Sequence, residues 1–244
     1  MQCIGHRGAR GHAPENTLAS FTAAIELGAH AIELDVQETD GRLVVIHDDS
    51  VDRTTNGVGP LGDFSYDELR ALDAGDGQSV PTLDEVLQCI DRRLAVNIEI
   101  KGAAIADRVV DAVGRWGRRG WPLQEFLVSS FDHAQLVQAR ELNPDLLLGV
   151  LVDESVDEGM RVARELKAYA LIPARELVDT EVVRIAHEEG MRLLAFTVNE
   201  PKEIEKLGTL GVDGLITDYP DRVLNRWPGV DISRAWTPPA SGNP

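Results

Sequence analysis

The sequence has little cysteine and a shortage of positive charge. Its two cysteines, Cys3 and Cys89, are too few for a disulfide framework or a CxxC metal site, so we expect a reducing compartment, with the cytoplasm as location. Lys and Arg number 24 against 41 Asp and Glu, for a formal net charge of −17. This balance argues against a nucleic-acid partner, which needs a basic protein face, and against tight docking to an anionic membrane.

The chain also lacks long apolar runs. No stretch reaches the roughly eighteen apolar residues that a membrane-spanning helix needs. The first residues have no basic region followed by an apolar core, as a secretory leader would. We therefore expect no stable membrane insertion.

Short apolar runs instead alternate with amphipathic stretches along the chain. Each run is almost continuously apolar, which is typical of a parallel strand buried on both faces. Helical spacing follows the runs, as at Leu18, Phe21 and Ile25 after the capping residues Asn16 and Thr17. The eight runs are residues 3–5, 31–36, 94–100, 126–130, 146–152, 168–172, 193–198 and 214–217.

Eight β-then-α units predict an α/β fold, a (β/α)8 TIM barrel. A doubly wound open sheet is the alternative, and the number and even spacing of the units favour the barrel. We expect one catalytic domain over residues 1–228, with an insertion at residues 37–81 after the second strand. Residues 229–244, rich in Pro, Gly and Ser, are expected to form a loosely attached C-terminal tail.

Two carboxylates lie within the second apolar run. Successive strand residues point to opposite faces, so Glu33 and Asp35 share one face while Ile32 and Leu34 share the other. Buried carboxylates need a cation or hydrogen bonds, and this spacing suits two oxygen ligands of a hard divalent ion. Glu99, on the next barrel strand, can complete the site. An exposed edge strand with solvated acids is the alternative, which the apolar neighbours disfavour.

Histidines and cationic residues stand at the ends of predicted strands. His6 and Arg7 lead from the first strand into a glycine turn, and the planar guanidinium of Arg7 suits phosphate oxygens. His47 follows a short apolar piece of the insertion. Lys101 can oppose a phosphate or developing negative charge, although a structural pair with Glu99 is an alternative. Because His titrates near neutral pH, His6 and His47 are candidates for a general acid and a general base.

These residues belong to a series of short segments that covers nearly the whole chain. In this order the series closely resembles the glycerophosphodiester phosphodiesterase family, and the series as a whole is far more specific than any single motif. The segments are His6-Arg7-Gly8, Pro14-Glu15-Asn16-Thr17, Glu33-Leu34-Asp35, His47-Asp48, Asp52-Arg53-Thr54-Thr55-Asn56-Gly57, Pro81-Thr82-Leu83, Asn97-Ile98-Glu99-Ile100-Lys101, Phe196-Thr197-Val198-Asn199 and Asp213-Gly214-Leu215-Ile216-Thr217-Asp218-Tyr219-Pro220.

The resemblance implies a (β/α)8 barrel with a small insertion, acting on a small-molecule glycerophosphodiester to release glycerol 3-phosphate and an alcohol. It implies one divalent cation, Ca²⁺ or Mg²⁺ with Mn²⁺ as an alternative, bound by Glu33, Asp35 and Glu99. His6 and His47 would be the acid/base pair. The nucleophile would be the glycerol 2-hydroxyl, through a cyclic phosphate, or water.

The resemblance also implies the contacts to the substrate. Arg7 and Lys101 would contact the phosphate, and Glu15 would support the site or the glycerol hydroxyls. Family members often carry Trp at the position of Phe196. An aromatic floor beside the glycerol is kept here, without an indole N–H donor.

Other activities are compatible with the same barrel. A lysophospholipase D or a phosphoinositol-type phospholipase would need an apolar groove. The insertion offers only Phe64, Tyr66 and Leu69, which suit its own packing. A non-catalytic barrel that binds ligands would lack part of the acid/base or metal set, and no such gap is present. A dinucleotide-dependent oxidoreductase is disfavoured because no GxGxxG turn follows a strand.

Overall fold

A closed parallel barrel organises the computed structural model of the protein, which describes residues 1–227 and residue 236. The strands are β1 (Gln2–Gly5), β2 (Ala31–Thr39), β3 (Arg42–Val45), β4 (Ala95–Ile100), β5 (Phe126–Ser130), β6 (Leu147–Val152), β7 (Ala170–Pro173), β8 (Arg192–Ala195) and β9 (Gly214–Thr217). Their order is β1-β9-β8-β7-β6-β5-β4-β2-β3, and β1 also pairs with β2. Ile4 is in register with Ala31 on one side and Ile216 on the other, so β1 closes the ring. The predicted (β/α)8 barrel is confirmed.

Helices surround the barrel and connect its strands. Within the described residues, none of them is long and apolar enough to cross a membrane. Their bounds are α1 (Leu18–Leu27), α2 (Tyr66–Arg70), α3 (Leu83–Ile90), α4 (Ala106–Arg118), α5 (His133–Leu142), α6 (Val156–Leu166), α7 (Thr180–Glu188), α8 (Pro201–Leu210) and α9 (Pro220–Arg226).

Side-chain caps explain where several helices begin. Thr17 accepts a hydrogen bond from the Ser20 backbone N–H, and α1 ends at Gly28 with φ 84°. At α3, Thr82 and Glu85 form a reciprocal capping box. The cap at Thr17 agrees with the helix start that the sequence indicates there.

The insertion after β2 has a small core of its own. Strand β3 pairs antiparallel with β2, in the register Val36↔Val45. The short helix α2 follows, and its Leu69 is fully buried. The core of the insertion consists of Val44, Ile46, Val51, Leu61, Leu69, Ala74 and Val80. Packing holds the end of β3 against the barrel, which positions the residues after it.

The barrel interior changes from apolar to charged along the strands. Ala31 and Ala95 begin β2 and β4 and belong to an apolar cluster inside the barrel. Glu33, Asp35 and Glu99 lie on the same strand faces, two or four residues further on. The intervening apolar residues pack against the surrounding helices. The carboxylates therefore stand above an apolar floor, at the C-terminal mouth of the barrel.

Most of the predicted C-terminal tail, residues 229–244, lies outside the described residues. The exception is Trp236, whose side chain is fully buried in the apolar cluster inside the barrel. Its ring meets that of Tyr169 edge-on, with centroids 6.1 Å apart. Tyr169 directly precedes β7, so Trp236 packs at the N-terminal end of the barrel, opposite the carboxylates.

Candidate active site

Three carboxylates meet in the barrel mouth. Glu33 and Asp35 of β2 and Glu99 of β4 each offer one oxygen, and these oxygens lie within 4.8 Å of one another. Strands β2 and β4 are neighbours, and their register places Asp35 beside Glu99. All three residues are buried. The sequence indicates the shared face of Glu33 and Asp35, and the strand pairing adds Glu99 to it.

This cluster is unfavourable when all three groups are ionised. Burial raises the pKa of Glu33 well above its ordinary value, and the charges of Asp35 and Glu99 act in the same direction. Burial, followed by the charge of Asp35, raises the pKa of Glu99 to about 7, with Lys101 opposing. A cation among the carboxylates would favour their ionised forms and so oppose both causes.

The free oxygens of the cluster fit a divalent cation. Glu33 Oε2 accepts a hydrogen bond from the Arg7 backbone N–H at 3.0 Å, and Asp35 Oδ2 accepts one from Asn16 Nδ2 at 2.8 Å. Their other oxygens, Glu33 Oε1 and Asp35 Oδ1, are buried without a hydrogen-bond partner among residues 1–227 and 236. Such orphaned oxygens are costly in a protein interior, and carboxylate oxygens are the ligands that Ca²⁺ and Mg²⁺ prefer.

The donors to these carboxylates come from strained turns. Arg7 has φ 50° and Asn16 has φ 58°, both in the left-handed region that non-glycine residues rarely adopt. The turn at Arg7 aims its backbone N–H at Glu33, while its Nε lies 3.1 Å from Asp35 Oδ2. The backbone of both residues is therefore adapted to the carboxylates, as is common at functional sites.

His6 leaves the end of β1 and faces the cluster. Its Nδ1 lies 2.7 Å from Asp218 Oδ1, and its Nε2 lies 3.9 Å from Glu33 Oε2. Burial lowers the pKa of His6, more than the hydrogen bond with Asp218 raises it. Burial of the ring therefore favours the neutral imidazole.

His47 follows β3 of the insertion and is more exposed than His6. Its Nδ1 contacts Asp48 Oδ1, and Gln37 Nε2 donates hydrogen bonds to the backbone carbonyls of both His47 and Asp48. Arg53 Nε lies 2.6 Å from Asp48 Oδ2. Hydrogen bonds from Arg53 and His47 keep the pKa of Asp48 low. Gln37 and Arg53 thus fix the position of Asp48, and Asp48 in turn orients the imidazole of His47.

A chain of ion pairs connects the two sides of the mouth. Glu15 Oε1 accepts from Arg7 Nη1 at 2.6 Å and from Arg53 Nη2 at 2.9 Å. Although burial acts to raise it, hydrogen bonds from Arg53 and Arg7 hold the pKa of Glu15 at about 2. Arg53 also binds Asp48, so the network runs from the barrel carboxylates to the His47 side. Glu15 is thus placed between Arg7 and Arg53, and Arg10 Nη1 lies 3.5 Å from its Oε2.

Lys101 and Phe196 border the same mouth. Lys101 Nζ lies 3.2 Å from Glu99 Oε1 and 5.7 Å from the centroid of the Phe131 ring. Phe196 meets Phe131 edge-on at 5.7 Å. Phe196, His6, Glu33 and Glu99 line one small cavity, whereas His47 and Glu15 line a second one.

Several residues of the site were missed by the sequence interpretation. Asn199, Asp218 and Arg53 lie in the family-like segments, but nothing in the linear order says what they touch. Arg10, whose Nε lies 2.9 Å from Asp218 Oδ1, and Phe131 lie outside those segments. Both are brought to the mouth only by the folded chain.

Known proteins resemble this chain over most of its length. The model of the Glycerophosphoryl diester phosphodiesterase family matches residues 6–222. The chain belongs to this family. It is 39% identical over 236 residues to a glycerophosphodiester phosphodiesterase of Caldanaerobacter subterraneus subsp. tengcongensis. The matched region covers 91% of this chain and 96% of that protein. A glycerophosphodiester phosphodiesterase of Bacillus altitudinis is 36% identical over 238 residues, covering 91% and 96%.

A solved structure is similar over the same extent. It is an Oleispira antarctica phosphodiesterase in complex with the product sn-glycerol-3-phosphate, with a TM-score of 0.85 and 32% identity, covering 92% of this chain and 96% of that one. The expected family, the fold and the class of enzyme, a phosphodiesterase, are confirmed. The roles of individual residues stay predictions.

Proposed function

We propose that the chain hydrolyses glycerophosphodiesters to glycerol 3-phosphate and an alcohol, with one divalent cation held by Glu33, Asp35 and Glu99. One observation carries the proposal: three buried carboxylates converge within 4.8 Å and leave oxygens without partners. The cation would be Ca²⁺ or Mg²⁺, with Mn²⁺ as an alternative. The product bound in the Oleispira antarctica relative supports the choice of substrate class.

Two histidines supply the proton transfers in this proposal. A divalent cation held by Glu33, Asp35 and Glu99 would supply Lewis-acid polarisation of the phosphodiester. His6 and His47 exchange one proton each with the attacking oxygen and the departing alcohol. Both rings have Nδ1 occupied by a carboxylate, which leaves Nε2 for the substrate. The attacking oxygen is the glycerol 2-hydroxyl or water, and both give the same final products.

Substrate binding falls to the charged and aromatic residues of the mouth. Lys101 is half-exposed beside Glu99 and can turn towards a phosphoryl oxygen. The guanidinium of Arg7 lies in the same barrel mouth, where it contacts Asp35 and Glu15. Phe196 offers an apolar ring face next to His6, which suits the carbon atoms of glycerol.

We also propose a single catalytic domain over residues 1–228 in the cytoplasm, without a nucleic-acid partner. Both cysteines are free, which fits a reducing compartment. The acidic net charge of −17 supports a small-molecule substrate over a polyanion.

A substrate and metal panel tests this function. The full chain is treated with EDTA, dialysed, and assayed with glycerophosphocholine and lysophosphatidylcholine after adding Ca²⁺, Mg²⁺ or Mn²⁺. We expect glycerol 3-phosphate from glycerophosphocholine only when metal is added. Full activity in excess EDTA would contradict the metal site. Preferred cleavage of lysophosphatidylcholine would indicate a lysophospholipase D, and inactivity with every ion would indicate a non-catalytic barrel.

A further inference from the structure

Asp218 has entered the function so far only as the carboxylate at His6 Nδ1, and its partner Asn199 has no role in it yet. Asn199 follows β8, and Asp218 directly follows β9, the neighbour of β1. Asp218 is 6% exposed. Its Oδ1 is 2.7 Å from His6 Nδ1 and its Oδ2 is 2.7 Å from Asn199 Nδ2. The carboxylate therefore joins two strand ends to a candidate catalytic histidine.

The orientation of the Asn199 amide is determined by its partners. Its Oδ1 accepts hydrogen bonds from the Asp218 backbone N–H at 2.9 Å and from Thr217 Oγ1 at 3.2 Å. A backbone N–H can only donate, so Oδ1 has to face it. The amide nitrogen then has to point at Asp218 Oδ2.

Apart from His6, the side chains that contact the Asp218 carboxylate among the described residues are donors. Asn199 Nδ2 donates to Oδ2, while Arg10 Nε lies 2.9 Å from Oδ1 on the side of His6. An ionised carboxylate can only accept. The proton of a neutral His6 is therefore on Nδ1, and Nε2 carries the lone pair.

The backbone holds the ring in this direction. The His6 backbone N–H donates to the Thr217 carbonyl at 2.8 Å, one residue before Asp218. With Nδ1 held by Asp218, Nε2 is turned towards the carboxylate cluster, 3.9 Å from Glu33 Oε2. This is the position from which a ring nitrogen can reach a phosphodiester in the mouth.

We propose that Asp218 and Asn199 are positioning residues that keep His6 in the Nδ1–H form, with Nε2 as the nitrogen that exchanges a proton with the substrate. The proposal rests on the proposed phosphodiesterase function for its kinetic consequence. The tautomer itself follows from the hydrogen bond between the His6 ring and the ionised Asp218 carboxylate, which can only accept.

The variant Asp218→Asn tests the arrangement with an almost unchanged shape. Its amide nitrogen would have to face either the Asn199 amide nitrogen or the Arg10 and His6 donors, so one donor–donor conflict is unavoidable. When the amide nitrogen faces His6, the ring proton moves to Nε2. We expect kcat to fall by about 10² to 10⁴, while KM and metal affinity change by less than about threefold.

A second His–Asp pair in the chain provides a matched control. His12 Nε2 lies 2.8 Å from Asp221 Oδ1 on the surface, outside the carboxylate cluster. Asp221→Asn makes the same chemical change and should leave kcat unchanged. Asn199→Ala removes one donor to Asp218 and keeps the carboxylate, so we expect a smaller loss of kcat than in Asp218→Asn.

Nitrogen-15 NMR of the histidine rings reports the tautomer without any turnover. We expect His6 of the parent to be protonated at Nδ1, and Asp218→Asn to move protonation to Nε2. A parent His6 protonated at Nε2, or a folded Asp218→Asn variant with kcat within threefold of the parent, would overturn the proposal. If the parent cleaves no diester, the proposed function fails, and the NMR result on the parent still decides the tautomer. The parent spectrum also decides it if Asp218→Asn does not fold.

Discussion

Replacing Glu99 with Gln should stabilise the metal-free protein and weaken metal binding. Burial, followed by the charge of Asp35, raises the pKa of Glu99 from 4.5 to about 7. At about 1.4 kcal/mol per pKa unit, this rise means that the fold disfavours the ionised carboxylate by about 3 kcal/mol. Gln keeps the shape of the side chain and removes the charge. The energetic gain is therefore an upper value of about 3 kcal/mol, and it applies only where Glu99 is ionised.

The size of the expected difference in unfolding free energy between Glu99→Gln and the parent depends on pH. In metal-free protein the unfolded chain loses the Glu99 proton near pH 4.5, whereas the folded chain keeps it until about pH 7. Between these values the folded state holds more protons, so the free energy of unfolding falls as pH rises. Glu99→Gln has no carboxyl group at this position, so its free energy of unfolding does not fall for this reason. Its advantage over the parent should be small below about pH 4.5 and complete above about pH 7.

Urea denaturation in EDTA at about pH 4 and about pH 8 measures both limits. Adding saturating Ca²⁺ or Mg²⁺ at about pH 8 should reverse the order, because the parent gains more free energy from ligand binding to the folded state. Glu26→Gln, at an exposed position of α1, is the matched control and should match the parent throughout. A Glu99→Gln variant that is no more stable than the parent in EDTA at about pH 8 would refute the reasoning.

Two further substitutions test the histidine assignment and the tail. His47→Gln should lower kcat by about 10² to 10⁴ with the fold intact. The control His187→Gln, at an exposed position of α7, should leave kcat unchanged. A His47→Gln variant with kcat within a factor of two of the parent would remove His47 from the mechanism. Trp236→Ala should lower the free energy of unfolding by about 3 to 5 kcal/mol because it empties a fully buried ring site, and Trp236→Phe should lose less. Equal urea midpoints for the parent and Trp236→Ala would show that this ring does not contribute to the fold.

Much of the barrel could be predicted because buried parallel strands leave a local signal. Each of the eight apolar runs overlaps a barrel strand, with ends that differ by up to a few residues. Helix starts at Thr17 and Thr82 follow from caps that act within a few residues along the chain. Strand β3 appears where the insertion has its short apolar piece, at Arg42–Val45. Local chemistry was sufficient in all these cases.

The burial of Trp236 is a feature that local signals do not indicate. Composition rich in Pro, Gly and Ser indicates a loosely attached extension, and nothing nearby in sequence shows that Trp236 is buried. Its partner Tyr169 is far away in the chain, at the start of β7. Only the folded barrel provides the apolar interior that surrounds this ring.

The active-site residues divide in the same way. The alternation of side chains along one strand is a local property, so the shared face of Glu33 and Asp35 is determined by the sequence itself. Whether that face looks into the barrel, and whether Glu99 joins it, depends on how β2 pairs with β4. The meeting of His6 and Asp218, 212 positions apart, was decided only by the tertiary structure. It requires the first and last strands to become neighbours, which happens because the sheet closes on itself.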